Sequence, residues 1–213
     1  MAAPLDVLLL ESHPGTGTSR AEELEAAGHR VHRCWAPTAD RGHADDGREP
    51  CAGVTGAGCP VDRGVDVALL VRRGVSPRLH ATEAGVGCAV RAGVPVVEDG
   101  ADALDPFAPY VAARVGDDAA GACQAATDAV WEAVAERLRV GARSLLEAEG
   151  IDPDLVDLRC EAQGDGLLVR VSGPPMDDRL RQALAVRAAD ALRDVPRRPA
   201  RVDISCDEVA SDD

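Results

Sequence analysis

The chain has 213 residues, enough for one large domain or two small ones, and a formal net charge of −14. That charge excludes general nucleic-acid binding, which needs a basic face to neutralise phosphates. The sequence contains no lysine, which excludes Schiff-base, P-loop and kinase-type lysine chemistry.

Every basic residue is arginine, asparagine is absent, and the aromatic residues are Trp35, Phe107, Tyr110 and Trp131. Such usage fits a GC-rich bacterial genome and predicts a core of Val, Leu and Ala. No apolar run approaches the ~20 residues of a membrane span. Residues 1–10 lack the basic start of a secretory signal. A cytoplasmic protein with reduced thiols is therefore expected.

Residues 5–10 (LDVLLL) form a nearly continuous apolar run, the signature of a parallel strand buried on both faces. A Gly/Thr/Ser turn follows, then a helix capped by Ser19 with Glu22 as its capping-box partner and stopped by Gly28. Residues 29–35 read as a second strand. Residues 34–65 are a long Cys-containing loop, rich in Gly and Pro, of a length uncommon in a compact domain unless functional or disordered. Residues 66–72 (DVALLVR) are a third strand, 79–92 a helix stopped by Gly93, and 94–98 (VPVVE) a fourth strand. The alternation predicts a doubly wound, Rossmann-like or flavodoxin-like parallel sheet. Residues 99–116 read as a linker, giving domains 1–116 and 117–213.

The pattern then changes. Residues 117–149 carry one apolar stripe through Cys123, Thr127, Val130, Val134, Leu138, Gly141 and Leu145, and predict a long helix. In 155–162, Val156, Leu158, Cys160 and Ala162 alternate with polar residues, and Gly164-Asp165-Gly166 signals a hairpin into 167–171. Pro174 and Pro175 open a helix with Leu180, Leu184, Ala188, Ala191 and Val195 on its buried face, and Val202, Ile204 and Cys206 mark a last strand before an acidic tail. This α-β-β-α-β order predicts an α+β open sandwich.

With the stretch DGLLVRVSG (residues 165–173), that order resembles BON domains and the cytoplasmic domain of cation-efflux proteins, although the spacing between the glycines is one residue longer than in BON domains. The resemblance is topological and carries no function. The first half resembles receiver or flavodoxin-like domains in element order. After the first strand it has Glu11 alone instead of the receivers' acidic cluster. Its third strand ends in Arg72-Arg73 rather than an aspartate, and the lysine is missing, so a phosphoacceptor is not expected.

Periodicity separates the seven cysteines. Cys123, Cys160 and Cys206 fall on apolar faces, where cysteine behaves as a small hydrophobe. Cys34, Cys51 and Cys59 sit at a strand end and in the loop, where no apolar face exists to take them. That loop follows the second strand and so lies at the carboxyl edge of the sheet, where ligands bind in this architecture. Cys88, in the next helix, fits either a core or the loop. Together these four would make a thiolate site selecting zinc or an iron–sulfur cluster. There is no C-x-x-C knuckle, so the fold would have to assemble the site, with His32, His43 or His80 as substitute ligands. A redox-active thiol pair and unligated loop cysteines are the alternatives. Arg72, Arg73 and Arg78 would project at the same edge, where cations stabilise thiolates.

The turn carrying Gly15, Gly17 and Ser19 could cradle a phosphate at a helix start, with Arg72 and Arg73 as further contacts. It matches neither GxGxxG nor a P-loop, and no hydrolase elbow is present, so no catalytic residue stands out. The expected function is a binding or regulatory protein holding a metal or cluster through Cys34, Cys51, Cys59 and Cys88. Its second domain would serve dimerisation or a protein partner. A phosphate-ligand enzyme or sensor and a purely structural protein are the alternatives.

Overall fold

The computed structural model describes residues 3–34, 51, 53, 58–73, 81–100, 105–163, 166–192 and 201–208. The chain falls into two compact units, Ala2–Thr127 and Asp128–Asp213.

The first unit contains β1 (Asp6–Glu11), α1 (Thr18–Ala26), β2 (Arg30–Arg33), the one-turn α2 (Pro60–Arg63) and β3 (Val67–Val71). After them come a 3-10 turn (Ala81–Ala84) running into α3 (Gly85–Arg91), then β4 (Val96–Asp99) and β5 (Val111–Arg114). All five strands pair in parallel in the order β2-β1-β3-β4-β5, the flavodoxin-like order. Both faces are covered, which is why Val7–Leu10 of β1 and the whole of β3 are apolar. On one face Val7, Leu9, Val67, Leu69 and Val97 pack with Ala21 and Leu24 of α1. On the other, Leu8, Leu10, Ala68, Leu70 and Val96 pack with Val86 and Ala89 of α3 and with Cys34. Each of the buried leucines contributes roughly 1.5–3 kcal/mol by leaving water.

Three local expectations are corrected. No Ser19–Glu22 capping box forms: α1 starts two residues earlier, its N-cap is Gly17, and Ser19 is exposed inside the first turn. A carboxylate from β1 replaces the cap, with Glu11 Oε1 accepting from the Gly17 N–H at 2.7 Å. The 99–116 connection contains a fifth strand, β5, whose alternating half-buried and exposed residues mark an edge strand rather than a buried one. Residues 81–84 are 3-10 rather than α-helical.

The helix α4 (Ala119–Ala148) runs across the division between the two units. Its Ala119, Cys123 and Ala126 join the first core. Its Val134, Leu138, Ala142 and Leu146 join the second. In the later turns the buried stripe runs through Ala142 and Leu146, with Leu145 only partly buried.

In the second unit, β6 (Asp157–Gln163) pairs antiparallel with β7 (Gly166–Gly173), α5 (Asp178–Ala191) crosses back, and β8 (Arg201–Glu208) pairs parallel with β7. The sheet order is β6-β7-β8. Leu158, Leu167, Val169 and Val171 meet Leu180, Leu184 and Ala188 of α5 in one core, which is the open sandwich expected. Asp177, rather than a proline, caps α5: its Oδ1 accepts from the Leu180 N–H at 2.8 Å. Gly164, Asp165, Val195 and the acidic tail lie outside the described residues.

A candidate thiol site at the carboxyl edge of the sheet

The carboxyl ends of β1, β2 and β3 lie side by side, and β1 is the strand from which the chain order turns both ways. In such sheets the crevice outside this point is the usual ligand position. Cys34 immediately follows β2. Its N–H donates to the Leu9 carbonyl at 3.4 Å, and its side chain is buried among Leu8, Leu10, Val86 and Ala89. Gly85, the first residue of α3, makes the room. A Cβ built there would overlap Leu10 Cδ2 and stand 3.2 Å from Cys34 Sγ.

Cys88 lies one helical turn on, at the i+3 position that shares Gly85's side of α3. Arg91 Nη2 donates to its sulfur at 3.4 Å. Cys51 is half-buried and packs against the same core as Cys34. Cys59 precedes α2, and its carbonyl accepts from the N–H groups of Asp62 and Arg63 at 3.1 and 3.3 Å. Gly53 separates the last two: the point where its Cβ would sit is 3.7 Å from Cys51 Sγ and 3.7 Å from Cys59 Sγ.

The other three thiols act on Cys34. Burial pushes the Cys34 thiol up to about 12, and the thiols of Cys51, Cys59 and Cys88 push it the same way, Cys51 also through a hydrogen bond. Among the described residues, no three His, Cys, Asp or Glu side chains are placed to hold one metal ion. His32 is engaged elsewhere, its Nε2 2.8 Å from Asp6 Oδ1. That carboxyl is held down at about 2, chiefly by its hydrogen bonds from Arg30. His43, Arg78 and His80 lie outside the described residues.

Cys123 is fully buried and Cys160 half-buried against the second core. Burial pushes these thiols up to about 12 and about 11. The side chain of Cys206 lies outside the described residues.

The arginines expected beside the thiols serve other partners. Arg72 is 5% exposed and lies in a buried ionic network. Its Nε donates to Glu83 Oε1 at 2.9 Å, its Nη1 is 3.9 Å from Glu98 Oε1 and 3.8 Å from Asp105 Oδ1, and its guanidinium carbon lies 5.7 Å from the centre of the Phe107 ring. Arg73 pairs with Asp99 at 2.7 Å, and Arg20 Nε reaches the same carboxylate at 2.9 Å. Burial pushes Asp99 up, but these two guanidinium hydrogen bonds outweigh it and hold the group below its usual range.

Gly15 has φ +86, and its carbonyl accepts from the Thr18 hydroxyl at 3.0 Å. The Gly17 N–H donates to Glu11, and Arg72 and Arg73 pair with Glu83 and Asp99.

Sequence reasoning missed two contributors. Arg91 stands at helical spacing from Cys88, a signal visible in the sequence. Glu98, 1% exposed at the end of β4, lies beside the Asp105 carboxyl and makes longer ionic contacts to Arg114 and Arg72, at 3.4 and 3.9 Å. No local pattern predicts that burial.

No family model and no curated protein matches the chain. Among solved structures it is similar to the receiver domain of the sensor histidine kinase PA1611 from Pseudomonas aeruginosa PAO1, determined with a magnesium ion in its active-site cleft. Identity there is 20% and the TM-score 0.31, over 54% of this chain and 86% of that one. It is also similar to the response regulator StyR, at 10% identity and a TM-score of 0.31, over 91% of this chain and 92% of that one. Among the described residues, no helix is long and apolar enough to cross a membrane.

Proposed function

We propose that the first unit is a binding module for a soft metal ion or cluster, zinc or iron–sulfur, with Cys34, Cys51, Cys59 and Cys88 as its ligands. The supporting observation is that Cys51, Cys59 and Cys88, from separate chain segments, stand near enough to act on the buried Cys34 thiol, with the Cys51 and Cys59 sulfurs on either side of Gly53. Thiolates crowded in a half-buried place repel, and a bound cation is the group that turns that repulsion into binding. Ligation requires the sulfurs to close to about 2.3 Å from zinc. The glycines at 53 and 58, next to Cys51 and Cys59, leave backbone freedom for that closure. No catalytic residue is assigned.

In the second unit, the sheet face away from the helices carries the ion pairs Arg159–Asp157 and Arg170–Glu161, at 2.7 and 3.1 Å. We assign that charged face to a protein partner rather than to an apolar homodimer interface.

Purification without oxygen, followed by metal analysis and visible absorption, tests the module. The expected result is stoichiometric zinc, or iron with sulfur-to-iron charge-transfer absorption, lost in the Cys51→Ala and Cys59→Ala variants. A colourless, metal-free chain whose thermal stability ignores both substitutions and added zinc would rule the module out.

A further inference from the structure

We propose that Cys51 and Cys59 form a reversible dithiol–disulfide pair, oxidised by a peroxide, that switches the thiol site off. Three observations carry it. The two sulfurs flank a single point beside Gly53, each 3.7 Å from it. Both residues are partly exposed, whereas Cys34, their neighbour in the site, is 6% exposed and closed off by Leu10 and α3. Gly53 and Gly58 stand in the stretch between them, and Gly58 already adopts φ +88. Gly53 and Gly58 tolerate the backbone adjustment that brings the sulfurs to the ~2.05 Å of a disulfide.

The chemistry balances with a peroxide as oxidant. One thiolate attacks the O–O bond, a sulfur–oxygen bond forms, and hydroxide leaves, giving a sulfenic acid. The second thiolate attacks that sulfur, the S–S bond forms, and the sulfenic oxygen departs as water once protonated. Two thiols and one hydrogen peroxide give one disulfide and two waters. The sulfurs lose two electrons and the peroxide gains them. Reduction by a dithiol reverses the change. A disulfide removes two of the four proposed ligands, so oxidation and metal retention exclude each other. That exclusion rests on the metal reading above, but the S–S bond itself does not.

Trypsin resolves the question, because cleavage at Arg48 and Arg63 leaves Cys51 and Cys59 in one peptide, while Cys34 and Cys88 fall in two others. The full chain is reduced, stripped of metal with a chelator, treated with one equivalent of hydrogen peroxide, alkylated and digested. The expected spectrum shows the 49–63 peptide lighter by two hydrogens and unalkylated, with Cys34 and Cys88 alkylated, and dithiothreitol reverses it. Alkylation of both Cys51 and Cys59 after peroxide overturns the pair, as does a cross-link to the Cys34 or Cys88 peptide. A parallel sample preloaded with zinc separates the two ideas. Slower disulfide formation supports the exclusion. Equal rates with and without zinc overturn the exclusion and the metal reading together and leave the pair standing.

Discussion

Cys34 and Gly85 meet where β2 ends and α3 begins, with the Cys34 sulfur 3.2 Å from the place a side chain on Gly85 would occupy. Leu10 fills the rest of that space. The absence of a side chain at one helix start thus sets where the buried thiol can lie.

Gly85→Ala forces a methyl into Leu10 and against the sulfur. A loss of roughly 1–3 kcal/mol is expected, typical of overpacking a core, despite alanine's better helix propensity. Denaturant unfolding of the first unit measures it. Combined with Leu10→Ala, which empties the overlapped volume, the two losses should fall short of additive.

Arg72 and Glu83 form a nearly sealed ion pair, their side chains 5% and 1% exposed. Arg72→Met leaves Glu83 buried without its guanidinium and removes one of the two cations beside Glu98 and Asp105, the other being Arg114. The expected cost is roughly 3–5 kcal/mol. Glu83→Gln keeps an acceptor for the same donor and should cost clearly less. Equal losses in the two variants would show that packing, not charge, dominates here.

Burial pushes Glu98 up to about 7, and the neighbouring Asp105 charge adds to it, against the opposing pull of Arg114 and Arg72. The sign follows from linkage: a carboxyl that holds its proton more tightly when folded weakens the fold once it must ionise. Stability should therefore decline as pH rises from the ordinary carboxyl value of 4.5 toward 7, and level off above that. Glu98→Gln should flatten this window and gain roughly 2–3 kcal/mol at pH 8. Asp6, Asp99 and Asp105 act oppositely: their values are lowered on folding, so their contribution is lost below pH 4. Unfolding curves between pH 3 and pH 9 should show a maximum in the mildly acidic range for the parent. A flat Glu98→Gln profile that matches the parent's above pH 7 would contradict the assignment.

Asp177→Ala removes the N-cap of α5, whose carboxylate accepts from Leu180 at 2.8 Å. About 1 kcal/mol should be lost, all of it in the second unit, and Asp177→Ser should restore most of it. Hydrogen exchange of the first turn of α5 reads the effect locally.

The sheet strands were legible where burial is two-sided or cleanly alternating. β1 and β3 announce themselves as unbroken apolar runs, and β6 as a period-two pattern, because those periods are imposed by what covers each face. β5 was hidden for the same reason. Its VAAR is an edge strand with one half-buried side, and short Ala-rich segments carry little signal. The helix start at Thr18 was misplaced because Ser19 and Glu22 fit a capping box, while the group used is Glu11, brought from another element by the sheet.

The candidate site divides likewise. Sorting the cysteines by periodicity singled out Cys34, Cys51 and Cys59 as lacking a packing explanation and left Cys88 open, but Cys34 is a core residue among Leu8, Leu10, Val86 and Ala89, a burial made by other segments that no local stripe shows. Which charges stand beside them was not readable. Arg72 and Arg73 follow a strand and looked free, yet Glu83, Glu98 and Asp99 reach them from other segments. Alone, then, the sequence determined the order of the main elements and the two sheet types, which follow from short-range periodicity. The tertiary structure alone decided which of the leftover thiols lie together and which arginines are spent on carboxylates. It also decided that Glu98 is sealed from water, because each of these depends on segments distant in the chain meeting at one edge of the sheet.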